Sequence, residues 1–394
     1  MSGSVPVPFF RPSIGEEEID EVVATLRSGW LTTGDRAKRF ESAFSHYIGG
    51  GVQAIAVNSA TAGLHLALEA LGIGPGDEVI VPDLTFTATA EVVRYLGAEV
   101  RLVDVDPATL CLTPDAFAAA IGPRTRAVMP VHYGGLACDL DGICAIAAGH
   151  GIEVVEDAAH ALPTRWAGRL VGSHETAATV FSFYANKTIT TGEGGMLVTS
   201  RPDVAARARV MRLHGIDRDS FDRFRHPGAG WRYDIVAPGF KYNLSDLAAA
   251  VGLRQLEKAD DLRDRREQVA EIYLDAFSDL PLRLPSLGEQ GAHAWHLFAV
   301  RLNREAPIDR DSFIAALADR RIGCSMHYAP LHRMTYWRER YNLAAEGYPV
   351  SEDAFQTLVT LPLFPDMREA EIDAVISAVR EVLGTRAAAT AAGA

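Results

Sequence analysis

One lysine stands out among the residues that could do covalent chemistry. Of the 38 lysine and arginine residues, only four are lysines: Lys38, Lys187, Lys241 and Lys258. A chain that uses arginine for almost every cation favours lysine where arginine cannot serve, as in forming an imine with a carbonyl group. Lys38 and Lys258 lie in patterns typical of solvated helix faces. Lys187 follows an apolar strand-like run and precedes the glycine-rich turn Gly192–Gly195, so it is the best Schiff-base candidate, although a solvated loop lysine fits the same pattern.

An acidic pair ends another apolar run of the sequence. Glu156 and Asp157 follow two valines, and His160 comes three residues after Asp157. A carboxylate at the end of a buried strand is costly unless it pairs with a cation or accepts hydrogen bonds. A protonated pyridine nitrogen would be such a partner for Asp157, but a carboxylate that caps the next turn fits equally well. His160 taken alone is more often a structural histidine.

Small polar residues form a third candidate segment, Asn58–Gly63. Free backbone N–H groups at a helix N-terminus, together with the hydroxyls of Ser59 and Thr61, suit a phosphate dianion. Serine and threonine are also common helix caps where no ligand binds, so this segment alone leaves both interpretations open.

Alternating strand and helix patterns must position these three segments. The apolar, strand-like runs are Ala54–Val57, Glu78–Val81, Val100–Val105, Ala127–Val131, Ile152–Val155, Thr179–Phe183 and Gly195–Thr199. Helical patterns between them are Thr61–Leu71, Ala88–Leu96, Pro114–Ile121 and Leu140–Ala148. Short buried strands joined by helical crossovers predict an α/β fold with a mostly parallel sheet covered on both faces. Ligands of open α/β sheets bind beyond the carboxyl ends of the strands, where the three segments lie.

A smaller α+β region follows the sheet. Its predicted elements are a long helical run Leu244–Ala276, a strand Trp295–Leu302, a helix Asp311–Arg320 and a final helix Glu369–Leu383. We therefore expect a large domain over residues 1–255, which includes an N-terminal arm of residues 1–30. A small domain is expected over residues 256–384, and the Ala/Gly/Thr-rich residues 385–394 are expected to be a disordered tail.

Composition narrows the classes of partner. The 394 residues include 51 acidic and 38 basic ones, a formal net charge of −13, which argues against a general nucleic-acid binder. No run of about 18 apolar residues predicts a membrane span, and no secretory signal pattern is visible. The four cysteines are few, scattered and without zinc-finger spacing, so we expect reduced thiols, no metal site and a cytoplasmic location.

Taken together, the motifs resemble the DegT/StrS family of pyridoxal-phosphate-dependent nucleotide-sugar aminotransferases, which have fold type I. The similarity covers roughly residues 8–383. The stretches that carry it are Gly29–Gly34, Asn58–Leu64, Pro82–Thr89, Glu156–Ala161, Phe181–Phe183 with Lys187 and Gly192–Gly195, Arg212–Gly215, and Gly239–Asp246. The resemblance implies a seven-stranded, mostly parallel sheet flanked by helices, a smaller α+β C-terminal domain, and pyridoxal phosphate as cofactor.

The resemblance also implies a role for individual residues. Lys187 corresponds to the lysine that forms an imine with the cofactor and later acts as a base. Asp157 corresponds to the carboxylate that keeps the pyridine nitrogen protonated, which makes the ring an electron sink. The resemblance implies that His160 bonds the ring hydroxyl and that Phe86 stacks on the ring. The implied phosphate contacts are Ser59, Ala60, Thr61, Ser182 and, reaching in from the neighbouring subunit, Asn243. A homodimer with shared active sites is therefore expected.

The implied reaction moves an amino group from L-glutamate to a nucleotide-linked keto-sugar. Similarity in Gly239–Asp246, His293–Phe298 and Leu361–Met367 is closer to members that act at C4, so we expect a 4-amino-4-deoxy sugar as product. Another keto-sugar position and a keto-inositol are the alternative acceptors, and a non-enzymatic regulator is a further alternative.

Candidate contacts to the sugar nucleotide are Trp30, Lys241, His327 and His332. A diphosphate needs nearby cations against the net charge of −13, because local charges outweigh distant ones at contact range. His327 and His332 are equally compatible with ordinary surface histidines.

Overall fold

The computed structural model describes residues 5–217, 233–288 and 293–384, and the predicted tail lies outside these ranges. The strands are β1 (Gln53–Val57), β2 (Glu78–Pro82), β3 (Glu99–Val103), β4 (Thr125–Val128), β5 (Glu153–Asp157), β6 (Arg165–Trp166), β7 (Arg169–Leu170), β8 (Ala178–Ser182), β9 (Gly195–Thr199), β10 (Leu282–Arg283), β11 (Phe298–Leu302) and β12 (Leu358–Leu361).

Helices of the described residues alternate with these strands. In chain order they are α1 (Glu16–Ser28), α2 (Asp35–Ile48), α3 (Ala60–Ala70), α4 (Ala88–Tyr95), α5 (Pro114–Ala120), α6 (Leu140–His150), α7 (Pro202–Met211), α8 (Asp246–Glu257), α9 (Ala259–Ala276), α10 (Arg310–Asp319), α11 (Thr335–Tyr341), α12 (Pro349–Thr357) and α13 (Glu369–Gly384). Among them, no helix is both long and apolar enough to cross a membrane.

Seven strands form the main sheet in the order β1-β9-β8-β5-β4-β2-β3. Strand β9 is antiparallel to both of its neighbours, and the strands from β8 to β3 are parallel to one another. Each of the seven predicted apolar runs forms one strand of this sheet. The predicted α/β fold with a mostly parallel, helix-flanked sheet is therefore confirmed.

A second, smaller sheet has the order β10-β11-β12 and is antiparallel. Its apolar core is separate from the core of the large sheet and includes Tyr273 of α9, Phe277 directly after that helix, Phe298 of β11, and Val375 of α13. The N-terminal Val7 also belongs to this core. This α+β region agrees with the predicted fold class, whereas the expected domain bounds stay a prediction.

Three sequence predictions about this region are wrong in detail. The predicted helical run Leu244–Ala276 is two helices, because Lys258 leaves the helical conformation (φ −107°, ψ 4°). Lys258 is also not a simple solvated residue, since its Nζ lies 2.6 Å from the buried carboxylate of Glu18. The strand predicted from Trp295 begins at Phe298, because Trp295 adopts a positive φ of 50°.

Candidate active site

The sheet topology brings the three candidate segments to one edge. Parallel strands share the edge at which their carboxyl ends lie, and Asp157 ends β5 while the Lys187 loop follows β8. Strand β9 runs the other way, so it begins at the same edge with Gly195, which pairs with Val57 at the end of β1. The crossover to α3 begins there, so the predicted phosphate segment joins the other two.

Lys187 lies in a short loop that hydrogen bonds fix to the sheet. Its backbone N–H donates to the Tyr184 carbonyl (3.0 Å), and Tyr184 pairs with Gly192 across the loop. Burial lowers the pKa of Lys187 to about 7, since the nearby charge of Asp157 offsets desolvation only in part and the charge of Arg266 lowers it further. A large fraction of the amine is therefore unprotonated and nucleophilic near neutral pH.

Asp157 is a buried carboxylate with two short donors. The Thr89 hydroxyl donates to Oδ2 (2.7 Å), and the Ala159 backbone N–H donates to Oδ1 (3.1 Å). Burial raises the pKa of Asp157, although these hydrogen bonds and the positive charge of Lys187 oppose the shift. A positively charged ring nitrogen placed beside this carboxylate would relieve that cost.

Glu156, the other member of the acidic pair, belongs to a different network. It accepts hydrogen bonds from the hydroxyls of Thr176 (2.7 Å) and Thr179 (2.6 Å) and from Nε2 of His132 (2.9 Å). Burial raises the pKa of Glu156, but the hydrogen bonds outweigh it and the net pKa is lowered. Side chains alternate along a strand, so only Asp157 faces the site.

His160 is fixed in one tautomer. The backbone N–H of Gly134 donates to its Nδ1 (3.2 Å), so Nε2 carries the proton and donates to the Tyr328 hydroxyl (2.9 Å). Burial, together with the charge of Lys187, lowers the pKa of His160 well below its usual range. The His160 imidazole is therefore a neutral donor, which suits a hydrogen bond to the hydroxyl of the cofactor ring.

Phe86 presents an open aromatic face at the same edge. Its side chain is 56% exposed, and its ring centroid lies 5.7 Å from that of Tyr328. An exposed aromatic face of this kind suits stacking by a planar ligand.

Four predicted phosphate contacts surround the N-terminus of α3, and we call them the phosphate cup: Ser59, Ala60, Thr61 and Ser182. Ser59 caps the helix, its Oγ accepting a bond from a first-turn N–H (3.1 Å). Gly195 pairs in register with Ser182, and a Cβ there would lie 2.7 Å from both the Ser59 carbonyl carbon and the Ala60 nitrogen. The absence of that Cβ lets β9 pack against the helix end, where free N–H groups attract anions.

Asn243 lies beside the phosphate cup of its own chain. It pairs with Val57 across an antiparallel bridge, and its Nδ2 donates to the Thr33 hydroxyl (2.6 Å). Lys241, two residues earlier, is exposed, and its carbonyl accepts a bond from the Asn58 side chain (3.3 Å). The expected contact of Asn243 with a neighbouring subunit stays a prediction.

Trp30 lies near Asn243 and is partly exposed. Its Nε1 donates to the Thr33 carbonyl (3.2 Å), and the Thr33 hydroxyl accepts a hydrogen bond from Asn243 Nδ2. Hydrogen bonds through Thr33 therefore connect Trp30 to Asn243, two residues after Lys241.

Neither histidine of the predicted sugar-nucleotide set is a surface residue. His327 is buried, with Nδ1 3.0 Å from the Thr360 hydroxyl and the ring stacked on Phe9. Burial, together with the charge of Lys187, lowers the pKa of His327 to about 4, so it is neutral near pH 7. His332 is buried between Asp83 and Glu352, so neither histidine offers a free positive charge to a diphosphate.

Sequence reasoning missed His296 as a member of the site. Its Nε2 lies 3.4 Å from Lys187 Nζ although 109 residues separate them, and its Nδ1 has no hydrogen-bond partner among the described residues. Buried Arg266 fixes this backbone by donating from Nη1 to the carbonyls of Trp295 (3.3 Å) and Leu363 (2.7 Å). Thr89 and Tyr328 also lie in the site without a predicted role. The only sequence signal for Thr89 and His296 is that each lies in a stretch that resembles the family.

The described residues fit the cofactor that the resemblance implies. They provide an amine at Lys187 that is partly unprotonated near neutral pH, a buried carboxylate at Asp157 and an open aromatic face at Phe86. The cradle at Gly195, which a Cβ would fill, leaves the helix end of α3 accessible to a phosphate.

Comparison with known proteins gives consistent matches along almost the whole chain. The profile of the DegT/DnrJ/EryC1/StrS aminotransferase family matches residues 12–380. The spore coat polysaccharide biosynthesis protein SpsC of Bacillus subtilis (strain 168) is 43% identical over 380 residues, which covers 96% of this chain and 97% of the relative.

Solved structures agree with the sequence match. The PLP-form of the putative sugar aminotransferase Spr1654 from Streptococcus pneumoniae is 32% identical, with a TM-score of 0.89 over 96% of this chain and 99% of that one. DesV of S. venezuelae, solved in complex with a ketimine intermediate, is 33% identical, with a TM-score of 0.87 over 96% of this chain and 98% of that one. The chain therefore belongs to the DegT/DnrJ/EryC1/StrS aminotransferase family and is a pyridoxal-phosphate-dependent aminotransferase.

Proposed function

We propose that this aminotransferase moves an amino group from L-glutamate to a nucleotide-linked 4-keto-sugar and so makes a 4-amino-4-deoxy sugar nucleotide. The observation that carries the reaction is the buried Lys187 amine, whose pKa of about 7 keeps it nucleophilic beside Asp157. The sugar acceptor is supported by two names: SpsC is a spore coat polysaccharide biosynthesis protein, and Spr1654 is a putative sugar aminotransferase.

Each proposed cofactor contact follows from the position of its residue. Asp157 holds the ring nitrogen protonated, and Phe86 covers one face of the ring. His160 donates from Nε2 to the hydroxyl of the cofactor ring, with the same proton that it donates to the Tyr328 hydroxyl in the structure. The phosphate cup and Asn243 hold the phosphate at the N-terminus of α3.

The proton steps belong to Lys187. Pyridoxal phosphate, when bound, supplies an electron sink for the carbon that loses a proton. The Lys187 amine would then move the proton between the two carbons bonded to the transferred nitrogen, which requires an uncharged base that is held close. His296, 3.4 Å from Nζ, keeps the free amine within the site. The low exposure of these groups limits access of water to the base.

The sugar nucleotide would lie on the exposed side of the phosphate cup. Lys241 supplies a local positive charge there, and Trp30 supplies a flat apolar face next to Asn243. His327 and His332 are not needed as cations in this arrangement, since one is neutral and the other is already paired.

A single-turnover panel tests the acceptor. The enzyme is first converted by L-glutamate to its pyridoxamine phosphate form, freed of glutamate and then mixed with one acceptor at a time. We expect a nucleotide-linked 4-keto-sugar to return the enzyme to the pyridoxal form fastest, with a matched 3-keto-sugar and a keto-inositol as comparators. Faster reaction with either comparator would reject the 4-keto assignment. Failure of glutamate, with glutamine active, would reject the donor.

A further inference from the structure

His332 lies at the centre of a buried ion cluster that the transamination chemistry does not use. Its Nδ1 lies 2.6 Å from Asp83 Oδ2, and its Nε2 lies 3.1 Å from Glu352 Oε2. Asp83 is fully buried, and only 2% of His332 is exposed. An imidazole that meets a carboxylate at each nitrogen donates from both, so His332 is an imidazolium.

The same cluster binds two distant parts of the backbone together. The backbone N–H of His332 donates to Asp83 Oδ1 (2.8 Å), and the backbone N–H of Leu331 donates to the Asp83 carbonyl (3.0 Å). Asp83 directly follows β2, and 249 residues separate it from His332. The end of β2 is therefore tied to the C-terminal part of the chain.

The residues that follow Asp83 lead straight into the active site, and we call residues 83–89 the Phe86 segment. At its far end, the Thr89 hydroxyl donates to Asp157 (2.7 Å). Phe86 lies between these two attachments with an exposed ring. One end of the segment is thus fixed by the carboxylate proposed to hold the ring nitrogen, and the other end is fixed by His332.

We propose that His332 is a positioning residue: as an imidazolium held by Asp83 and Glu352, it fixes the Phe86 segment so that the aromatic ring is presented to the cofactor. This role differs from the predicted contact with the sugar nucleotide, for which at least one ring nitrogen would have to be released from its carboxylate. The positioning role of His332 does not depend on which sugar is the acceptor. Only its expected effect on cofactor binding rests on the proposed function, in which Phe86 stacks on the cofactor ring.

The charges around His332 give the cluster a definite pH dependence. The groups that face it are Asp83, Glu352, Arg333 (paired with Glu352 at 2.9 Å), the stacked ring of Tyr348, and Asp104 at the N-terminus of α12. Burial lowers the pKa of His332, but the two carboxylates outweigh it and raise the pKa above its ordinary 6.5. The charged hydrogen bonds of His332 are therefore present just below its ordinary pKa, and one of them is lost as the pH rises through the raised value. Burial also raises the pKa of Asp83, so protonation of that carboxyl weakens the cluster in acid.

Hydrogen exchange and cofactor affinity test the proposal on the full chain, with and without pyridoxal phosphate. His332→Gln should speed backbone exchange in the Phe86 segment by about tenfold near pH 6 and weaken cofactor binding by a similar factor. Asp83→Asn should have the same two effects. The double variant with His332→Gln should add little to either effect, because both changes break the same Asp83–His332 pair. Tyr348→Phe, which keeps the stacked ring, is the matched control and should leave both measurements unchanged.

The pH profile separates positioning from a general structural role. Wild-type exchange in the Phe86 segment should approach that of His332→Gln as the pH rises, while the difference elsewhere in the sheet stays small. A uniform increase over the whole sheet in His332→Gln would overturn the proposal. So would an unchanged Phe86 segment combined with a higher KM for the sugar nucleotide alone. Faster backbone exchange in the Phe86 segment together with an unchanged cofactor affinity would support the attachment by His332 and would reject the stacking of Phe86 on the cofactor.

Discussion

At the scale of single residues, the reactivity of Lys187 depends on its surroundings. An exposed lysine has a pKa near 10.5, and burial brings the pKa of Lys187 to about 7. We expect the rate at which pyridoxal phosphate attaches to the protein without cofactor to rise with pH and to level off above about pH 7, because the free amine is the nucleophile. Rapid-mixing absorbance between about pH 5.5 and pH 9.5 measures it. A rate that still climbs tenfold per pH unit beyond pH 9 would contradict the assignment.

Asp157 provides a second test at this scale. Asp157→Asn keeps the shape of the side chain and its bond with Thr89, but an amide cannot hold the ring nitrogen protonated. We expect the variant to bind the cofactor and to lose about a hundredfold or more in kcat. Cofactor absorbance and steady-state kinetics measure the two effects. Thr89→Ser, which retains the hydroxyl, serves as the control, and wild-type turnover in Asp157→Asn would refute the electron-sink role.

At the scale of elements, the close approach of β9 to α3 shapes the phosphate cup. Gly195→Ala would place a Cβ 2.7 Å from the backbone of Ser59 and Ala60, so the helix end must shift away. We expect cofactor affinity to fall about tenfold or more, as measured by titration with pyridoxal phosphate. Gly149→Ala in α6, where a Cβ meets nothing within 4 Å, is the matched control. Equal affinities in the two variants would show that this packing does not form the cup.

The elements also show what a sequence can predict. Each strand of the main sheet was predicted because it is a short apolar run bounded by turns, and Lys187, Asp157 and the Ser59 segment were found because they directly follow such runs. His296 and the Asp83–His332 pair were missed because their partners lie 109 and 249 residues away. Local patterns do not encode such contacts. The break at Lys258 and the positive φ of Trp295 have no local signal either, since Lys258 lies inside a helical pattern and a positive φ is uncommon for a bulky residue such as tryptophan.

At the scale of the whole molecule, the expected homodimer with shared sites makes a quantitative prediction. Lys187→Ala and Asn243→Ala chains, each nearly inactive, are unfolded together and refolded. If Asn243 serves the neighbouring subunit, up to about a quarter of wild-type activity should return, because half of the dimers are mixed and each mixed dimer holds one intact site. No recovery would mean that Asn243 serves the phosphate cup of its own chain, beside which it lies.

The net charge of −13 limits where the protein can bind an anionic molecule. The proposed sugar nucleotide is anionic and would approach an acidic protein, so the positive charges that receive it would have to be local. Lys241 is exposed beside the phosphate cup, whereas buried Arg266 and His332 are committed to backbone carbonyls and carboxylates. These two buried cations therefore position parts of the chain and are not free to bind an anionic substrate.

Lys187 is expected to carry the cofactor as an imine. Reduction of the pyridoxal-phosphate-loaded protein with borohydride fixes such an imine, and peptide mapping by mass spectrometry then identifies the residue, with Lys187→Ala as the control. We expect a stable pyridoxyl group on Lys187 in the wild type and none in the control. A pyridoxyl group on Lys241 or another lysine, or equal labelling of the Lys187→Ala protein, would contradict it.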